Sequence, residues 1–336
     1  MSAVEPSGLA LFWAAVIAGA ILVYVILDGF DLGVGILFGT TRDAVLRDEM
    51  MGTISPFWDG NETWLVLNGA ILFAIFPLTY ATLLSAFYLP VIFMLGALIF
   101  RGVAFEFREK AERTRGFWDG AFVAGSYVAT FIQGVAVGAL AHGLPMDNLS
   151  YVGGAFGWFS PFALLSGVGL CLGYALLGAG WLIYKAHPDV QDLGFRLTPP
   201  LLTALFLVLA LLFGLALTQE LPVTLRWREH PLLYLFPLIG VFLGGLLLTA
   251  VRARLELAPF LCGVGLFAAA MATLSASFYP YMIPFAITTA QAAAAPAAQT
   301  FMFWGAGVFI LPLTLAYTLV IYFVFKGKVG VQETIY

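Results

Sequence analysis

The strongest constraint in this sequence is the repetition of long apolar runs. Nine stretches, at 8–38, 55–77, 79–100, 117–141, 158–184, 199–218, 231–250, 258–280 and 301–325, are long and apolar enough for a membrane helix. A helix rises about 1.5 Å per residue, so roughly 20 residues cross the hydrocarbon layer of a bilayer. Short alternating segments of the β-barrel kind are absent, and in lipid only helices or closed barrels satisfy the whole backbone. The expected fold is an all-α integral membrane protein with about nine transmembrane helices. The second and third runs are nearly fused around Pro77 and Thr79, which predicts a tight hairpin.

Composition excludes the alternatives. The chain is 62% hydrophobic and only 10% charged, whereas a soluble domain carries about 25% charged residues. A net charge of −4 gives no electrostatic case for nucleic acid, and 2 cysteines make no disulfide framework. The chain therefore reads as one polytopic membrane domain over 1–336. Within it, 8–141 (helices 1–4) carries the ionisable motifs, and 158–250 with 258–325 (helices 5–9) is mostly packing. The longest inter-span segment, about 281–300, is too short for a soluble domain. No basic n-region or small-residue cleavage site flanks the first run, so it reads as a retained helix. Glycine pairs inside spans, Gly33 with Gly35 and Gly244 with Gly245, are expected to let helices pack closely.

Basic residues set the expected orientation. With the N-terminus outside, inner segments hold Arg42 and Arg47, the five basic residues from Arg101 to Arg115, Lys185 and Arg196, Arg252 and Arg254, and Lys326 and Lys328. Only Arg226 and Arg228 fall outside. Cytoplasmic loops carry the Lys/Arg excess, so the expectation is N-out, C-in.

A charge at the bilayer centre costs about 2.5–3.5 kcal/mol on insertion scales, so intramembrane acids are functional candidates. They concentrate near the N-terminus: Asp28 and Asp31 in DGFDLGVG, Asp59 and Glu62 in WDGNETW, then Arg101 and Glu106 in FRGVAFEFR. Asp28 and Asp31 share a helix face, as do Asp59 and Glu62. With helix 1 running inward and helix 2 starting inside, all are expected at one depth, a pattern suited to proton uptake with Arg101 as counter-ion. Plainer roles stand beside this one. Asp28 and Asp31 mark a helix end in one reading, and Asp59 favours a helix N-terminus in another. The 101–115 segment reads as an orientation signal and solvated face. Trp58 and Trp64 also suit an interfacial aromatic belt.

Redox and metal chemistry have few ligands here. His142, His187 and His230 fall in loops or at span ends, which makes haem ligation by this chain alone unexpected. Cys171 and Cys262 read as buried inert thiols, and no phosphate loop, zinc motif or Ser/His/Asp arrangement occurs.

GFDLGVGIL at 29–37, PFWDGNETWLV at 56–66 and FRGVAFEFR at 100–108 together resemble subunit II of the cytochrome bd-type quinol oxidases, of the shorter, cyanide-insensitive branch. The motifs cover about residues 20–110, with YPYMIP at 279–284 a weaker echo. The resemblance implies two four-helix bundles plus one peripheral helix, in a heterodimer of the bacterial plasma membrane. It implies a haem-free subunit that stabilises a haem-bearing subunit I holding haems b and d, where quinol is oxidised and dioxygen reduced to water. It carries Asp31 and Asp59 over as proton-delivery acids, with Asp28 in the same motif and Glu106 where relatives carry Asp. Trp64 matches a position lining a dioxygen route, and Trp58, Gly60 and Asn61 belong to the WDGN block. Glu62 departs from the family, where relatives have an amide. Some relatives hold a quinone in this subunit, and a small accessory subunit joins some complexes; no motif here assigns either. The rival class is a proton-coupled secondary transporter, whose site should lie near the midplane within inverted repeats; no repeat shows in the sequence.

Overall fold

The computed structural model describes residues 5–329. Helix α1 (Gly8–Phe38) starts where the Ser7 side chain accepts a hydrogen bond from the Ala10 amide, satisfying one orphan donor of the first turn. A short helix, α2 (Ala44–Ile54), is capped by Asp43. It leads into α3 (Trp58–Ile75), and after a break at Phe76 into α4 (Pro77–Lys110), with Pro77 at the first helical position where its missing N–H costs nothing. This is the hairpin expected near Pro77. Pro90 lies inside α4, and the backbone leaves helical geometry at Phe87, within the turn its ring disturbs. Helix α5 (Arg115–His142) ends at a two-residue hairpin, β1 (Met146–Asp147) with β2 (Ser150–Tyr151).

Helices α6 (Pro161–Lys185), α7 (Pro188–Thr218), α8 (Pro222–Glu229), α9 (Leu235–Arg252) and α10 (Ala258–Phe278) follow. Then come β3 (Tyr281–Ile283), β4 (Ile287–Thr288) and the short α11 (Thr289–Ala292). Helix α12 (Pro296–Met302) runs through a π-helical stretch, Phe303–Ile310, into α13 (Leu311–Val324).

Eight helices among the described residues are long and apolar enough to cross a membrane. The ninth apolar run of the sequence is α3, whose first turns carry Asp59, Asn61 and Glu62. Its 18 residues span about 27 Å. It lies antiparallel along α1: Asn61 bonds Asp31 near one end, and Ile71 and Ile75 pack with Trp13 and Ile17 near the other.

Two helices form the centre. Asp28 to Phe38 of α1 is buried without interruption, and so is Gly173 to Ile183 of α6. Gly33 makes this crossing possible, because a Cβ there would stand 1.8 Å from the Tyr174 carbonyl oxygen and 3.0 Å from the Gly178 amide. Gly35 and Gly244 also face close neighbours, Ser126 and Phe206. Gly245 does not: a Cβ there meets open space, because on α9 it points about 100° away from the face that Gly244 packs. At the other extreme no residue of α13 is buried, which makes it peripheral.

Candidate functional site

Asp28 and Asp31 do not mark a surfacing helix end. Both are fully buried, and α1 continues for seven residues past Asp31 to Phe38. Three residues apart, they occupy one face of α1, and each draws a different partner. Arg101 of α4, itself fully buried, brings its guanidinium to 3.8 Å from Asp28. Asn61 of α3 donates from Nδ2 to Asp31 at 2.7 Å and more weakly to the Leu27 carbonyl at 3.3 Å. The orientation of that amide is fixed from its other side, where the Tyr322 hydroxyl donates to Asn61 Oδ1 at 3.0 Å. Four helices, α1, α3, α4 and α13, thus meet at this cluster.

A polar thread leaves it sideways. Tyr24 lies one turn before Asp28 on α1; its hydroxyl accepts from Gln133 Nε2 of α5 at 2.8 Å, and the Tyr174 hydroxyl of α6 donates to Gln133 Oε1 at 3.0 Å. Neither Asp28 oxygen has a protein hydrogen-bond partner; nor do Asp31 Oδ1 and the three guanidinium nitrogens of Arg101. Buried polar atoms are normally paired, and exceptions mark functional or water-bridged places. Charge counting adds a chemical property. One guanidinium balances one carboxylate, so the neutral state of the trio holds one proton on its two carboxyls.

Of the remaining acids, Asp59 and Glu106 are not gathered with them, whereas Glu62 lies within electrostatic reach of Asp28 and Arg101. Asp59 and Glu106 are exposed on the surface of this chain, and Glu62 is half-buried. The single depth read from the sequence hid a rotation. Asn61 points inward, and at about 100° per residue Asp59 lies some 200° away on the same helix; Glu106 is likewise turned about 140° from Arg101. Asp59 and Glu62 do share a face, which is exposed at Asp59 and half-buried at Glu62.

Trp64 is buried, not a belt residue, with Nε1 donating to Thr318 Oγ1 at 3.3 Å. Trp58 is half-buried and stacks on Phe105 with centroids 4.9 Å apart. Gly60 lies against α13, where a Cβ would meet the Tyr317 ring at 3.3 Å. Sequence reasoning missed Tyr24, Gln133, Tyr174 and Tyr322. Gln133 left a signal, as the lone amide inside an apolar run; the tyrosines left none, since tyrosine also suits packing and interfaces.

The 101–115 segment is not a plain solvated face. Arg108 is buried and bonds Asp119 at 2.5 Å and Asp48 at 2.6 Å, while Arg115 also bonds Asp48 and Arg47 pairs with Asp119 at 2.8 Å. The segment runs as the end of α4, so the side chains of successive turns fold back onto α2 and α5. Cys171 and Cys262 are half-buried, not fully buried as expected, and each packs at the margin of a core cluster. His142 ends α5, His187 joins α6 to α7 and His230 follows α8. Among the described residues no three His, Cys, Asp or Glu side chains are placed to hold a metal ion.

Comparison with known proteins identifies the family. The family model described as cytochrome bd terminal oxidase subunit II matches residues 9–325. The chain is 29% identical to cytochrome bd-I ubiquinol oxidase subunit 2 of Escherichia coli K12, over 97% of this chain and 96% of that one. It is 28% identical to cytochrome bd ubiquinol oxidase subunit 2 of Bacillus subtilis, over 96% and 97%. Its fold is similar to a chain of the bd oxidase from Geobacillus thermodenitrificans, with a TM-score of 0.77 at 16% identity, covering 95% of this chain and 100% of the other. The chain belongs to the cytochrome bd terminal oxidase subunit II family.

Proposed function

We propose that this chain is the haem-free subunit II of a bacterial quinol:oxygen oxidoreductase, and that it stabilises a haem-bearing subunit I and delivers protons for the reduction of dioxygen to water. As a member of its family it is one subunit of a quinol oxidase complex, a multi-pass protein of the plasma membrane. Haems b and d reside in the partner; the three histidines here sit at helix ends, away from the buried cluster, and do not fit a haem ligand set. The N-terminus faces outward and the C-terminus the cytoplasm, which places the paired ends of α2, α4 and α5 inside, as the lysine and arginine distribution requires.

One observation carries the proton role: two fully buried carboxyls stand three residues apart, one facing a buried arginine and the other a buried amide, with several polar atoms lacking protein partners. Such a cluster stays neutral by holding a proton and passes it on through bridging water. Asp59, Glu62 and Glu106, on α3 and α4, hand protons between the cluster and the partner. Trp64, buried between α1, α3 and α13, borders a path for dioxygen. The transporter reading has no comparable support, since the cluster lies towards one end of α1 and the family is an oxidase family.

The test is Asp31→Asn in the complex purified with its partner. The amide keeps an acceptor for Asn61 but holds no exchangeable acid. Expected are unchanged haem bands in the reduced-minus-oxidised spectrum and a fall of about 100-fold in quinol-driven oxygen uptake, the lower end of what a lost proton-transfer group costs. Normal uptake with normal spectra would remove the proton role. Asp59→Asn is expected to behave the same way, and normal uptake in that variant alone would take Asp59 off the path.

A further inference from the structure

A cavity of about 280 Å³ opens behind the carboxylate cluster, between α1, α6, α10 and α13. Its inner wall is aromatic, built from Trp181, Tyr184, Phe260 and Tyr322, with the Trp181 and Phe260 rings 5.2 Å apart. Its outer wall is aliphatic, with the exposed Leu257 and Leu261 at the rim. Two lysines, Lys185 and Lys326, line one end, with the Lys326 ammonium resting over the exposed Phe323 ring at 4.4 Å, and no acid lines any part.

Neither lysine has a carboxylate partner among the described residues. Lys185 is buried and donates to the Phe325 and Gly327 carbonyls at 2.5 and 2.7 Å, with its Nζ also 5.3–5.7 Å from the centroids of the Phe57, Trp181 and Tyr184 rings. Carbonyl dipoles and ring faces stabilise an ammonium group without removing its net charge. The site combines two lysines that have no carboxylate partner among the described residues, at the lysine- and arginine-rich end of the helices, with an apolar slot that opens sideways at Leu257 and Leu261.

We infer that this cavity seats one anionic phospholipid, its phosphate at Lys185 and Lys326 and an acyl chain along Leu257, Leu261 and Ile26. A soluble anion would leave the apolar slot unused, and an uncharged ring compound would leave both ammonium groups unanswered. Charge complementarity and the shape of the slot select a molecule with both parts. The lipid closes the gap between α10 and α13, and so holds the helix that carries Tyr322. The inference needs only the membrane location, so its failure leaves the proton reading standing.

The test uses the whole oxidase complex, delipidated in detergent, with thermal stabilisation followed against added phosphatidylglycerol. Lys326→Gln removes one headgroup contact, and Leu261→Trp fills the slot; Lys185 is left intact because it also holds the chain after α13. Phosphatidylglycerol is expected to raise the melting temperature of the native complex. Its half-saturating concentration should rise about fivefold in Lys326→Gln, the effect of one lysine near an anionic lipid, and saturation should be lost in Leu261→Trp. Phosphatidylcholine of the same chains should need a concentration several times higher, and inorganic phosphate or a short-chain quinone should not reproduce the effect. Equal half-points for the two lipids, unchanged half-points in both variants, or full stabilisation by phosphate or quinone alone would each overturn the assignment.

Discussion

The second half of α1 and the last membrane helix are both long apolar runs, yet the fold uses them in opposite ways. Asp28 to Phe38 is buried on every side, and its two acids are tolerated because Arg101 and Asn61 reach them from α4 and α3. No residue of α13 is buried, and it is attached by few polar groups: Thr318 to Trp64, Tyr322 to Asn61, and the following segment to Lys185. An apolar run therefore specifies that a helix spans, not where it stands. In lipid there is little hydrophobic force between helices, so close backbone approach and buried polar bonds decide the positions.

Replacing Gly33 should break the central helix first. A leucine there would drive its Cβ into the Tyr174 carbonyl, so α1 and α6 must separate. Overpacking against rigid backbone costs about 1–3 kcal/mol or more, and the complex should be recovered poorly, with a melting temperature several degrees lower. Gly245→Leu, facing open space in this chain, is the control and should leave both unchanged. Equal loss in both variants would show that glycine acts through the chain before folding and not through the α1–α6 contact.

The peripheral helix should respond more weakly. Tyr322→Phe removes the donor to Asn61 Oδ1 and leaves a buried amide oxygen unsatisfied, at a cost of about 1–3 kcal/mol. Tyr317→Phe, one helical turn away and half-exposed with no hydrogen bond from its hydroxyl among the described residues, should cost nothing measurable. Thermal unfolding of the two purified complexes compares them directly. No difference would mean that α13 is held by lipid and the tail, with the Tyr322 bond contributing little.

These contrasts also explain what was legible in the sequence. Membrane spans follow from length and apolarity alone, and the acids of DGFD stand out because charge is costly in lipid. The face each acid adopts is set by its helix's rotation about its own axis, which for α3 depends on Asn61 turning inward to Asp31. That turn sends Asp59 to the outside, and no local pattern in WDGNETW encodes it. Gln133 and Tyr322 come from segments 72 and 261 residues away from Asn61 in the chain, so their meeting at one cluster is a product of packing. Likewise the basic segment at 101–115 does carry the charge bias expected of an inner loop, but Arg108 is drawn under α2 because Asp48 and Asp119 wait there.

The smallest expected effect lies at that arginine-rich end, outside the membrane. Burial pushes the Asp48 carboxyl up, but hydrogen bonds from Arg115 and Arg108 outweigh it and hold the group below its usual range. A carboxyl whose folded pKa is depressed stabilises the fold above its unfolded value, near 3.9, and that contribution disappears as pH falls through the lower folded value. The Asp48 side chain is 49% exposed, so solvent screens the pair and the contribution stays within about 0.2–1 kcal/mol. Asp48→Asn should therefore lower the melting temperature of the complex by a degree or two at pH 7, and salt should shrink the gap. Acidification should begin to close the gap below about pH 4 and should bring variant and native complex together only once the pH is below the depressed folded value, where both carry an uncharged side chain at this position. A gap that persists in acid would mean the aspartate acts by shape, as part of the α2–α4–α5 packing, and that this arginine-rich end is held much as the buried cluster is, by fixed contacts more than by charge.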